Sequence, residues 1–185
     1  MDDMPESVRD VMIDAAWRLI AERGLEGMST REVLARTGAP RGSVYHYFPR
    51  GRIELIENAI EHSRVWMDAQ VAAFEAATPA DVVSGYLTIW RRILEITDFH
   101  AGCAVTGVIT GAQDAGLLDR AATAYTSASD ALAARFRMVG VPEAEAARQA
   151  GLLVIAAEGA VLIARAQRNV DALRLVAEQF GSALA

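Results

Sequence analysis

The chain has 185 residues, 52% of them hydrophobic and 23% charged, with a formal net charge of −6 and one cysteine. That length suits one domain or two small ones sharing a core, and the apolar content argues against intrinsic disorder. The lone Cys103 excludes an internal disulfide and a four-cysteine zinc site, and no metal or cofactor is expected. The longest apolar stretch, Leu152 to Ala164, is broken by Glu158 and falls short of a bilayer's thickness. No membrane association is expected. The opening Asp2-Asp3 lacks the basic-then-apolar pattern of a secretory signal, which points to the cytoplasm.

No stretch alternates as a strand does, and Gly and Pro fall mostly between helical patterns, so the expected fold is all-α with nine helices. The first helix is read from Pro5 to Arg23, with Val8, Val11, Met12, Ala15, Leu19 and Ile20 on one face. Gly24 and Gly27 bracket a turn. Ser29-Thr30-Arg31-Glu32 fits a capping box opening a short helix, whose buried face is Val33 and Leu34 and which Gly38 ends. Pro40 opens a third short helix through Tyr47, since proline suits a first turn. After Pro49-Arg50-Gly51 come a long helix from Arg52 to about Ala76, one from Thr78 to about Thr97, and a glycine-loosened one from Gly102 to Gln113. Leu117 to Met138, Pro142 to Arg168 and Val170 to Leu184 complete the set.

The acidic total hides an uneven distribution. Ser29 to Arg52 holds five arginines (Arg31, Arg36, Arg41, Arg50, Arg52) and one acid, a local net charge of +4, whereas Ile53 to the end carries −6. Salt screens fields beyond about 8–10 Å, so local charge governs phosphate attraction. Two short helices joined by a glycine turn, the second rich in polar, basic and aromatic residues, describe a helix-turn-helix. The second helix of such a unit reads the major groove from its N-terminal end. Here Arg41, Gly42 and Ser43 stand there, followed by Tyr45, His46 and Tyr47. Arginine forks onto guanine, glycine allows close approach and hydroxyls reach phosphates or bases. Thr30 and Arg31 at the start of the preceding helix, and Arg52 at the start of the long one, are placed to hold phosphates.

The run Met28-Ser-Thr-Arg-Glu-Val-Leu-Ala-Arg-Thr-Gly-Ala-Pro-Arg-Gly-Ser-Val-Tyr-His-Tyr-Phe-Pro-Arg-Gly-Arg-Ile-Glu-Leu55 resembles the DNA-binding head of the TetR (tetracycline-repressor) family. The resemblance is strong over about the first 60 residues. It implies a helix-turn-helix DNA-binding domain at 1–50, a ligand-binding and dimerisation domain at 51–185, and a homodimeric repressor that a small molecule releases from double-stranded operator DNA. Tyr47 stands where the family often has histidine, with His46 before it, and Arg52 replaces a common lysine. Ala101-Gly102-Cys103-Ala-Val-Thr106 resembles the drug- and flavonoid-responsive branch, which implies an apolar or aromatic effector.

A candidate effector face in the body draws on Trp66, Met67, Tyr86, Trp90, Phe99, His100, Cys103, Thr106, Gln113 and Tyr125: large aromatics with a few orienting polar groups. Cys103 among Ala104, Val105 and Val108 reads as a small buried hydrophobe rather than a redox switch. The penultimate helix is apolar on two sides and must be covered on both. Leu152, Ile155, Ala156, Gly159, Ala160 and Ile163, extended by Leu173, Val176 and Phe180, form the candidate dimer interface, a four-helix bundle about a two-fold axis. Such a dimer matches an inverted-repeat operator. The chain is not expected to be an enzyme. The alternatives are a small-molecule sensor with a vestigial DNA head and a cysteine-dependent enzyme using Cys103, His100 and Asp98.

Overall fold

Regular structure among the described residues is wholly helical. The computed structural model describes residues 7–183, so the expected helix start at Pro5 and end at Leu184 lie outside the described residues. Nine helices follow in order: α1 Val8–Gly27, α2 Thr30–Thr37, α3 Ser43–Tyr47, α4 Arg52–Ala73, α5 Pro79–Ile96, α6 Ala104–Ile109, α7 Ala115–Met138, α8 Glu143–Gln167 and α9 Asp171–Ala183.

Local chemistry sets most of the boundaries. Ser7 starts α1 by accepting the Asp10 N–H, and Gly24 breaks its helical path at φ 70°, a left-handed value that costs glycine nothing. The expected turn at Gly24 to Gly27 is therefore a kink with one further helical turn. Thr78 and Asp81 cap α5 reciprocally, each side chain bonding the other's backbone N–H. Three expectations need correction. The third helix begins at Ser43, because the Ser43 N–H bonds the Pro40 carbonyl at 2.9 Å and leaves Arg41 and Gly42 in a turn. α4 stops at Ala73, before Ala76, and Arg135 caps the following turn at the Phe74 carbonyl while its guanidinium lies 5.0 Å from the Phe74 ring. α6 is confined to Ala104–Ile109.

The chain forms two compact units, Met1–Ser63 with Ala104–Ala121, and Arg64–Cys103 with Ala122–Ala185. The first buries Met12, Ala16, Leu19, Ile20, Val33, Val44, Phe48, Leu55 and Ile56. Within it α6 lies against α1. A Cβ at Gly107 would sit 2.9 Å from the Ile20 carbonyl oxygen, so only glycine allows the approach.

In the second unit α5, α8 and α9 pack around Tyr86, Trp90, Leu94, Leu132, Phe136, Leu153 and Phe180. α8 turns Ala146, Ala150, Leu153, Ala157, Ala160, Val161 and Ala164 inward, small residues that let its neighbours close in. Three residues expected at a dimer interface, Ala160, Leu173 and Phe180, are buried in this core instead. Along a helix each residue rotates the direction by about 100°, so Ala160 points inward although Gly159 beside it is exposed. The opposite side of α8 carries Leu152, Ile155, Gly159, Leu162 and Ile163 in the open, with Ile155 71% exposed. α8 also exceeds the apolar run Leu152 to Ala164. By length and composition it is long enough to cross a membrane, but 44% of its most apolar window is buried in the protein.

Candidate nucleic-acid interface

The helix-turn-helix is assembled by short-range bonds. The Ser29 hydroxyl accepts the Glu32 N–H at 3.2 Å to start α2, and Gly38, left-handed at φ 69°, ends it with its N–H on the Leu34 carbonyl. Only half of the expected capping box forms: the Glu32 carboxylate faces Arg23 at 3.4 Å and Arg31 at 3.7 Å. Val44 and Phe48 anchor α3 to the core and leave its other side outward.

On that outward side Arg41, Gly42, Tyr45 and His46 are exposed, Tyr45 by 69%, while Ser43 and Tyr47 are half-buried. His46 stacks edge-on against Tyr47, ring centres 4.7 Å apart. The Tyr45 ring lies over Gly51, where a Cβ would meet it at 3.2 Å. At the start of α2, Thr30 is half-buried and the Arg31 side chain is 90% exposed. Arg41 makes no hydrogen bond or ion pair among the described residues.

The five arginines of the basic stretch are far from equivalent. Arg36 is held two-pronged by Glu22 at 3.1 and 2.7 Å, and Arg50 by Glu57. Arg52, which its place at the start of the long helix suits to a phosphate, instead donates to the Met28 carbonyl at 2.9 Å and the Leu25 carbonyl at 2.6 Å. It ties the start of α4 to the end of α1, satisfying carbonyls that a helix terminus leaves open. Arg31 and Arg41 thus keep their guanidinium groups turned outward, Arg31 beside Glu32, while Arg52 keeps its charge but spends its donors on backbone carbonyls. The partners Glu22 and Glu57 were not anticipated from the sequence. Glu22 lies 14 residues from Arg36, with no periodic signal linking them.

The candidate effector residues divide. Met67, Tyr86 and Trp90 are buried in the second unit, with the Tyr86 and Trp90 rings edge-to-face at 6.4 Å. Trp66, Phe99, Cys103 and Tyr125 pack partly buried against the same core, and the Cys103 sulfur lies 3.9 Å from the Tyr125 hydroxyl. Burial pushes the Tyr86 hydroxyl far above the usual phenol range, and the Trp90 indole offsets this only in part. Trp90 Nε1 is buried without a well-formed hydrogen bond among the described residues. His100 is exposed. Asp98 and Phe99 both adopt left-handed φ, which turns Phe99 onto the core and His100 outward, and Arg165 donates to the His100 carbonyl at 2.8 Å. Thr106 and Gln113 belong to the first unit, and Gln113 is exposed there. Three of the ten residues therefore do not join the others.

Residues 12–58 match the profile described as bacterial regulatory proteins, tetR family, and residues 79–179 match the transcriptional regulator LmrA/YxaF-like C-terminal domain. An HTH-type transcriptional regulator of Mycobacterium tuberculosis is 36% identical over 183 residues, covering 95% of this chain and 93% of that one. The HTH-type transcriptional regulator LmrA of Bacillus subtilis is 25% identical over 166 residues, covering 87% and 88%. Among solved structures, a TetR regulatory protein from Rhodobacter sphaeroides has the same fold, with a TM-score of 0.84 at 21% identity, covering 96% of this chain and 99% of that one. A helix-turn-helix with outward arginines, carried by a chain that matches one family along most of its length, makes the protein a member of the TetR family of bacterial transcriptional regulators, DNA-binding proteins that are not enzymes.

Proposed function

We propose that the protein is a homodimeric repressor that a small apolar or aromatic effector releases from an inverted-repeat operator in the cytoplasm. Residues 1–50 serve as the DNA-binding domain and 51–185 as the ligand-binding and dimerisation domain. The observation that carries this reading is the solvent-facing set Arg31, Arg41, Tyr45 and His46 on the two helix-turn-helix helices. Arg41 and Tyr45 meet bases, while Thr30, Arg31, Ser43 and Tyr47 hold the backbone. Leu152, Ile155, Gly159, Leu162 and Ile163 of α8 and Leu175 of α9 support the dimer, since a row of exposed apolar side chains gains from being covered.

The effector reading rests on Trp66, Met67, Tyr86, Trp90, Phe99, Cys103 and Tyr125, an aromatic group whose buried Trp90 indole N–H is near the Tyr86 hydroxyl but makes no well-formed bond. It favours a flat apolar molecule carrying one acceptor oxygen. Such a molecule acts only through its different affinities for the DNA-bound and free states. Titrating flat aromatic compounds against the tryptophan fluorescence, with and without a protected promoter fragment, tests this. The fragment weakens the effector by the same factor by which the effector weakens the fragment. Equal effector affinity in both titrations contradicts release by ligand.

A further inference from the structure

Glu57 lies in α4 beneath the turn that follows α3. Its carboxylate receives Arg50 two-pronged, Nη1 at 2.9 Å on Oε1 and Nη2 on Oε2, and Arg120 of α7 brings Nη2 to 3.7 Å from Oε2. All three residues belong to the first unit. Glu54 completes the group by accepting the Arg50 backbone N–H at 3.0 Å. The Glu57 side chain is 14% exposed, whereas those of Arg50 and Arg120 are 58% and 51% exposed. The hydrogen bond from Arg50, opposed by partial burial and aided by the Arg120 charge, holds the Glu57 carboxyl below the usual range.

One carboxylate facing two cations can lose one and stay paired. Removing the sole partner of a sheltered charge is costly, but here Arg120 remains. Arg50 is the member nearest the outward side of α3: it sits in the short Phe48–Gly51 turn directly after that helix, and its side chain is the most exposed of the three. We propose that Arg50 is a phosphate-binding arginine held in reserve. It leaves Glu57 for a DNA phosphate when the helix-turn-helix docks, while Arg120 keeps the Glu57 carboxylate paired. Glu57 and Arg120 are positioning residues that touch no DNA. They set how readily the third outward cation of the head joins Arg31 and Arg41. This rests on the DNA-binding reading of α2 and α3.

The test measures binding of the full-length protein to a random-sequence DNA duplex across a range of salt concentrations, which isolates phosphate contacts from base readout. Glu57→Gln, which keeps the shape and removes the charge, raises affinity about two- to fivefold with an unchanged salt slope, the scale of an exposed ion pair. Arg50→Ala flattens the slope by about 0.9 and abolishes the gain from Glu57→Gln. Arg120→Ala lowers affinity about twofold, and only where Glu57 is present. A merely structural Glu57 gives no gain on neutralisation. The proposal is overturned if Glu57→Gln is neutral or weakening, if Arg50→Ala leaves the slope unmoved, or if Arg120→Ala costs the same beside Glu57→Gln. Wild-type protein that ignores the duplex even in dilute buffer removes the DNA-binding reading as well. Wild-type binding with an unresponsive Glu57→Gln removes only this one.

Discussion

The basic stretch of the head and the outward side of α8 lead to function by opposite routes. In the head, most of the charge is already answered from within: Arg36 by Glu22, Arg50 by Glu57 and Arg52 by two backbone carbonyls. What stays turned outward is a remainder, Arg41 and the 90% exposed Arg31, which lies 3.7 Å from Glu32. On α8 nothing among the described residues answers Leu152, Ile155, Leu162 and Ile163, which stay exposed at 44%, 71%, 50% and 49%. A charge can be satisfied by one partner some 3 Å away, but an apolar face needs area. Counting arginines therefore overstates the head's surface, whereas an exposed apolar row states its need directly.

The sharpest way to break that comparison is Gly159→Arg. Among the described residues no neighbouring side chain or element lies within 4 Å of a Cβ at Gly159, so the folded chain accommodates the change. A dimer built on this face is disfavoured by about 3–5 kcal/mol, the cost of an unpaired buried charge. A sizing column then shows folded monomers whose melting temperature no longer depends on protein concentration, and a persistent dimer places the contact elsewhere. Leu173→Ala separates core from interface on the neighbouring helix. Leu173 is 4% exposed within one chain, so its truncation lowers stability by about 2–4 kcal/mol and leaves association intact.

Smaller effects sharpen the reading of the head. Arg41→Ala lowers affinity for a footprinted promoter fragment by about 1–3 kcal/mol while random-sequence binding changes little. Equal loss on both makes Arg41 a phosphate contact. Arg52→Ala removes two charge-assisted bonds from a partly exposed strap and lowers stability by about 1–2 kcal/mol, with no change in salt slope. If the slope falls by about one unit and the melting temperature holds, Arg52 binds phosphate after all.

What could be read from the sequence follows from the range of the interactions. The Ser29 cap, the Gly38 turn and the Thr78–Asp81 box each join groups only three or four residues apart, and those boundaries fall where composition puts them. The third helix starts late because Pro40 makes a turn before it makes a helix. α8 is apolar nearly all round, so its pattern does not say which side faces the core, and Ala160, which the pattern groups with the outward residues, is buried. The partners of the arginines are set by packing between elements far apart in the chain, as with Glu57 and Arg120, and no local rule announces them. The same holds for His100, whose direction depends on two left-handed residues just before it.

The central claim is that two copies of one arginine-bearing helix-turn-helix dock together on duplex DNA. Footprinting the purified protein on sheared genomic fragments tests it most directly. The account predicts protection of an inverted repeat whose half-sites are centred about 34 Å apart, lost on Arg41→Ala. Protection of a lone half-site, or of no sequence at all in dilute buffer, would contradict it.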